Sequence, residues 1–89
     1  MSNEHAVHVT ERVIALTAER AATAPEQITP ATNFVDDLHF DSLDMVELTM
    51  GLEEEFEFSV ADEDVDKLHT VAAVVDYVAR RTNDALAKT

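Results

Sequence analysis

The chain has 89 residues, 46 % of them hydrophobic, which suffices for one domain with a modest core and excludes two. Nineteen acids against six bases give a formal net charge of −13, a field that repels nucleic acid and anionic membranes and attracts proteins with basic patches. Cysteine is absent, which excludes a disulfide framework, a thiolate metal site and a cysteine nucleophile.

With one Gly and two Pro, the sequence is too poor in turn residues for hairpins, and helices dominate the prediction. The first helix is predicted over residues 3–20, with Ser2 or Asn3 as its cap. Ala6, Val9, Val13, Leu16 and Arg20 fall at helical spacing, and Val7 and Ile14 widen the stripe. Pro25 and Pro30 then break the periodicity. Residues 21–41 read as a long ordered loop with one short helical turn, pinned to the core by Ile28, Phe34, Val35 and Leu38.

The second helix starts at Ser42 and runs to Glu55 or Phe56. Asp41 is its N-cap, and Asp44, three residues on, reaches back toward the free amides. The stretch FEFSV alternates like a brief extended segment. Asp62 is placed as the cap of a short helix over 63–68, and Thr70 as the cap of a last helix over 71–83. Val71, Val74, Val75 and Val78 share a face there, and the tail 85–89 is expected to fray. There is no repeat and no linker. The expected fold is therefore an all-α four-helix bundle, three longer helices and one short, in a single domain over 1–89. A long loop joins helices one and two. No apolar run approaches the roughly 20 residues a bilayer requires, and the N-terminus lacks a secretory signal, so a cytoplasmic location is expected.

The second helix carries two apolar stripes. Met45, Leu48, Leu52 and Phe56 form a core face, while Leu43, Val46 and Met50 gather almost opposite, bordered by Asp44, Glu47, Glu53, Glu54 and Glu57. Between Arg20 and Lys67 there is no Lys or Arg, so nothing nearby in sequence neutralises these acids. A doubly buried helix would not place carboxylates there, since an unpaired buried charge is very costly. The pattern predicts an exposed docking ridge, apolar contacts for affinity and acids for steering.

Ser42 stands at the leading end of this ridge. A nucleophilic serine needs a general base, itself oriented by a third group. His39 is close in sequence, but no orienting group or oxyanion hole is evident; the alternatives to a nucleophile are a place of attachment or an unmodified surface serine. His5 and His8 lack a third ligand and read as surface residues, and DEDVD at 62–66 lacks the glycine and distal glutamate of a calcium loop. No metal is expected. Tyr77 reads as a core residue of the last helix.

DSLDMVEL followed by LEEEF, with ITPATNFVDDL upstream and TVAAVVDYV downstream, resembles the acyl carrier proteins of dissociated fatty-acid or polyketide synthesis. The resemblance covers nearly the whole chain. It implies that Ser42 bears a 4'-phosphopantetheine arm, added from coenzyme A by a phosphopantetheinyl transferase, with acyl groups riding on the arm's thiol as thioesters. It implies that Asp41 and Leu43 meet the transferase, and that Asp44, Glu47, Glu53 and Glu54, with Val46 and Met50 as apolar partners, meet other enzymes. Those partners are ketosynthases, acyltransferases, reductases and dehydratases with basic patches. It also puts Leu48, Leu52, Phe56, Val60, Leu68, Val71, Val74 and Val78 around a pocket for the acyl chain. A non-catalytic, dynamic monomer of fatty-acid synthesis is the expectation; a specialised polyketide-type carrier and an unmodified acidic interaction module are the alternatives. The sequence departs from the common pattern at His39 and Phe40, where Gly and a small aliphatic residue are usual, at Gly51, where Ala is usual, and at Phe58 and Ser59.

Overall fold

The computed structural model describes residues 3–87, with side chains over 7–82. Among them lie four α-helices, α1 (Asn3–Ala21), α2 (Ser42–Phe56), α3 (Asp62–Val65) and α4 (Val71–Ala87), with a 3-10 turn at Pro25–Gln27. Three long helices, one short helix and a long first connection are the bundle that the periodicity predicts.

Each long helix contributes a buried row. Val9, Val13 and Thr17 of α1 follow one another at four-residue spacing. They face Leu48 and Leu52 of α2 and Val71, Val74 and Val78 of α4. The loop adds Ile28, Phe34 and Phe40 to the same core. Phe34 has no exposed surface, and burying such a ring contributes on the order of 2–3 kcal/mol.

The long loop is held by more than side chains. Its carbonyls at Pro30 and Thr32 accept from the amides of Ala72 and Val71, at 2.9 and 3.0 Å. The Phe34 amide donates to the His69 carbonyl, and an antiparallel bridge pairs Asn33 with Thr70. The first amides of a helix have no partner within it. Here the loop supplies partners for two of them, and the Thr70 hydroxyl, in the predicted capping role, accepts from Ala73.

Several expectations need correction. Val7 is exposed, because it lies roughly 200° around the helix from Val9. Val35 is exposed too. Asn33 accepts from the amides of Val35 and Asp36, both at 2.9 Å, and this tight turn sends Phe34 inward and Val35 out. Arg20 is exposed rather than part of the buried stripe, and Leu16, Ile14 and Leu38 pack half-buried at the core's edge. The FEFSV stretch forms no strand among the described residues; Glu57 caps α2 in the left-handed conformation at φ 54°. The cap of α3 is Ala61, without a side-chain hydrogen bond, and Asp62 is the first helical residue. The short helix ends at Val65, not 68, and α4 continues through Ala87, past the predicted end at Asn83. The Ser2 cap, the Ala6 and His5 side chains and the last two residues of the tail lie outside what is described.

Candidate functional site

The approach to α2 sets the site. His39 adopts φ 59°, a left-handed conformation that glycine takes at no steric cost. Its amide donates to the Val35 carbonyl at 3.0 Å, and the next amide, Phe40, donates to the Phe34 carbonyl at 2.9 Å. This reversal drives the Phe40 ring into the core, stacked on Phe34 at 5.8 Å between centroids and 24° between planes. The chain then rises through Asp41 to the exposed Ser42.

The predicted capping is reciprocal. The Asp41 carboxylate accepts from the Asp44 amide at 2.9 Å, and the Asp44 carboxylate accepts from the Asp41 amide at 3.0 Å. Two amides of the helix start are satisfied and Ser42 is fixed in position between them. Its hydroxyl makes no hydrogen bond among the described residues, so nothing there activates it as a nucleophile.

Beyond Ser42 the second stripe stands in solvent. Leu43, Val46 and Met50 are 61 %, 46 % and 53 % exposed, large values for apolar side chains aligned on one helix. The acids beside them are less free than their spacing suggests. Arg20 reaches from the end of α1 across to α2, donating to Asp44 at 2.8 and 3.1 Å and to Glu47 at 3.1 Å. Asp44 is held below the usual carboxylate range, first by the Asp41 amide and then by the Arg20 guanidinium, and Arg20 is raised in turn. Glu53 accepts from the Val60 amide at 2.8 Å, tying the α2–α3 connection to the helix. Glu55, which the sequence leaves without a role, pairs with Arg12 of α1; that hydrogen bond lowers its pKa. Glu54 is exposed and forms no ion pair among the described residues.

A cleft of about 520 Å³ opens beside Ser42. Phe34, Phe40, Met45, Val46, Val65 and Leu68 supply its apolar lining, and Asp62, Asp66 and His69 stand among its polar residues. Of the residues expected around an acyl chain, Leu68 lines this cleft; Leu48, Leu52, Val71, Val74 and Val78 are packed into the core behind. One wall is α3, which buries none of its own residues. Tyr77 of α4 holds it by donating to Asp64 at 2.8 Å, and partial burial followed by this contact raises the phenol's pKa. His8 packs edge-on against Phe56 at 6.2 Å, a surface contact. Among the described residues no cluster of His, Cys, Asp or Glu is arranged to hold a metal, and no helix is long and apolar enough to cross a membrane.

An exposed hydroxyl thus stands on a capped helix start beside an open apolar cleft. Residues 11–78 match the PP-binding family, the phosphopantetheine attachment site, and the chain belongs to that family. It is therefore a carrier protein whose prosthetic group, 4'-phosphopantetheine, is covalently bound. Membership implies dealings with a phosphopantetheinyl transferase and with acyl-handling enzymes. The residues present suit the group: the hydroxyl is open to an incoming phosphate, helix N-termini favour anions, and the cleft leaves room for an apolar load. The Asp41 and Asp44 carboxylates oppose that preference locally.

Proposed function

We propose that Ser42 is the attachment residue and that the protein is an acyl carrier of fatty-acid biosynthesis. The observation that carries this is the placement of Ser42: solvent-exposed, locked by the Asp41–Asp44 capping box, and at the head of the Leu43–Val46–Met50 ridge. In this reading the transferase supplies the base. The Ser42 oxygen attacks the pyrophosphate of coenzyme A, a phosphodiester forms, adenosine bisphosphate leaves and the serine proton passes to the transferase. The bound arm supplies a thiol that holds acyl groups as thioesters, which the cysteine-free chain cannot do itself.

The chain's own residues present and orient. Asp41 and Leu43 flank the attachment point where the transferase must approach. Val46 and Met50 offer apolar contact; Asp44, Glu47, Glu53 and Glu54 form the acidic border that faces ketosynthase, acyltransferase, reductase and dehydratase type partners, with Asp44 and Glu47 shared with Arg20. The unit works as a single domain. The bulky Phe40 at the cleft, preceded in the chain by the equally bulky His39, favours, as a second reading, a specialised polyketide-type carrier with its own cargo.

The test is intact mass after incubation with coenzyme A and a phosphopantetheinyl transferase. The wild type gains one arm; Ser42→Ala gains none and unfolds at nearly the same temperature, since exposed substitutions are usually within about 0.5 kcal/mol. No gain with several transferases would instead support an unmodified acidic interaction module.

A further inference from the structure

The ridge has two unequal ends. At about 100° per residue, Glu54 lies within roughly 20° of Glu47 but two turns further along α2, while Asp44 and Glu47 hold the leading end. On that leading flank sits the Arg20 guanidinium. It donates to Asp44 through Nε and Nη2 and to Glu47 through Nη1, and Nη2 also lies 3.0 Å from the second Glu47 oxygen. Two carboxylates and one guanidinium leave that flank with half the charge its acids would carry alone. All three side chains are partly covered, between 27 % and 42 % exposed, so solvent screens the cluster only in part. Arg20 is also the last Lys or Arg before Lys67, and it reaches the ridge through the fold rather than along the chain.

We propose that Arg20 is an internal competitor for the leading acids of the ridge, so that a basic-faced partner enzyme docks along Val46, Met50 and Glu54 and draws little from Asp44 or Glu47 while Arg20 stays in place. The inference rests on the docking role given to this helix above. A cation from the partner meets an open carboxylate at Glu54. At Asp44 or Glu47 it must dislodge or share a guanidinium already fixed by the multiple, directional contacts at which arginine excels. The surface thereby selects partners whose basic group lies toward the C-terminal half of α2. It disfavours those whose basic group sits against the α1 flank, where Arg20 repels it.

Stopped-flow association with a phosphopantetheinyl transferase bearing a basic face, at low salt, tests the assignment. Glu54→Gln slows association about threefold, and Glu47→Gln changes it little. In an Arg20→Ala background, Glu47→Gln also slows association about threefold, because Glu47 is now free. Arg20→Ala alone speeds association more than Arg80→Ala, which removes the same charge from a pair with Asp76 on α4. Arg20→Gln, which keeps much of the side-chain stem, repeats the pattern if Arg20→Ala perturbs folding. Equal effects of Glu47→Gln and Glu54→Gln in the wild type, or equal gains from Arg20→Ala and Arg80→Ala, overturn the proposal. Intact mass on the same samples separates the two levels. Normal loading with unchanged couplings defeats only the role of Arg20, whereas absent wild-type loading defeats the carrier reading beneath it.

Discussion

Gly51 lies inside α2, with φ outside the positive region. A glycine in a helix interior costs roughly 1 kcal/mol relative to alanine, through the backbone freedom it loses on folding. Such a residue is kept either because a side chain would collide or because something else must come close. The first reason fails here. A Cβ placed on Gly51 meets nothing within 4 Å, so the methyl displaces no neighbour. Gly51→Ala is therefore expected to stabilise the fold by about 1 kcal/mol, which in a domain of this size raises Tm by about 4–8 °C. Thermal unfolding followed by circular dichroism gives the shift, and urea titration with an unchanged m-value shows that the exposed surface did not change. A neutral or destabilising result would refute the argument, because it would require a steric or conformational cost that the geometry denies. The same variant tests function. Gly51 borders a second depression with Leu16, Glu19, Arg20, Glu47 and Leu48. If a partner's backbone approaches there, Gly51→Ala binds more weakly while being more stable.

His39→Gly relieves a left-handed residue and is expected to stabilise by up to about 1 kcal/mol in urea unfolding; a loss would mean that the imidazole itself holds the loop. Phe40→Ala removes a ring shared by the core and the cleft and is expected to cost about 3–5 kcal/mol. If the ring also selects cargo, the milder Phe40→Leu changes acyl preference in mass-spectrometric competition while remaining folded. Asp44→Asn keeps an acceptor for the Asp41 amide and removes the charge. Because the folded pKa of Asp44 is lowered below 3.8, its stabilising contribution is complete above that value and is lost as pH falls through the folded pKa. Wild type and Asp44→Asn should thus differ in unfolding midpoint at neutral pH and converge only as pH falls from 3.8 through the lowered folded pKa, and a gap that persists in stronger acid would contradict the assigned cause.

What the sequence makes legible is local. Spacing finds the three long helices, and the Asp41–Asp44 and Thr70 caps follow from residues that bond amides two or three positions away. The exposed ridge follows from carboxylates aligned with apolar residues on one face. Contacts across the bundle are another matter. Arg20 falls at helical spacing with Val9, Val13 and Leu16, and spacing alone enrols it in the buried stripe. Its head escapes to α2, twenty-four residues along the chain from Asp44. The available signal was a long cation at the end of an apolar row, since such side chains lay their stems along the core and send the charge outward. Likewise Glu53 looks like a free acid until the Val60 amide is found against it. Val35 fails for a third reason: in a turn organised by Asn33, neighbouring apolar residues point opposite ways.

The hydrogen bonds between the 30–34 segment and the 69–72 segment bear on how cargo travels. They splice the stretch that leads into Ser42 to the root of α4, so the arm, attached at Ser42 as proposed, stands on a post tied to the bundle. Search must then come from rotation of the prosthetic tether and tumbling of the whole body. A client enzyme that wants the load in its tunnel has to orient the entire molecule like a key, and cannot coax a pliant stalk toward itself.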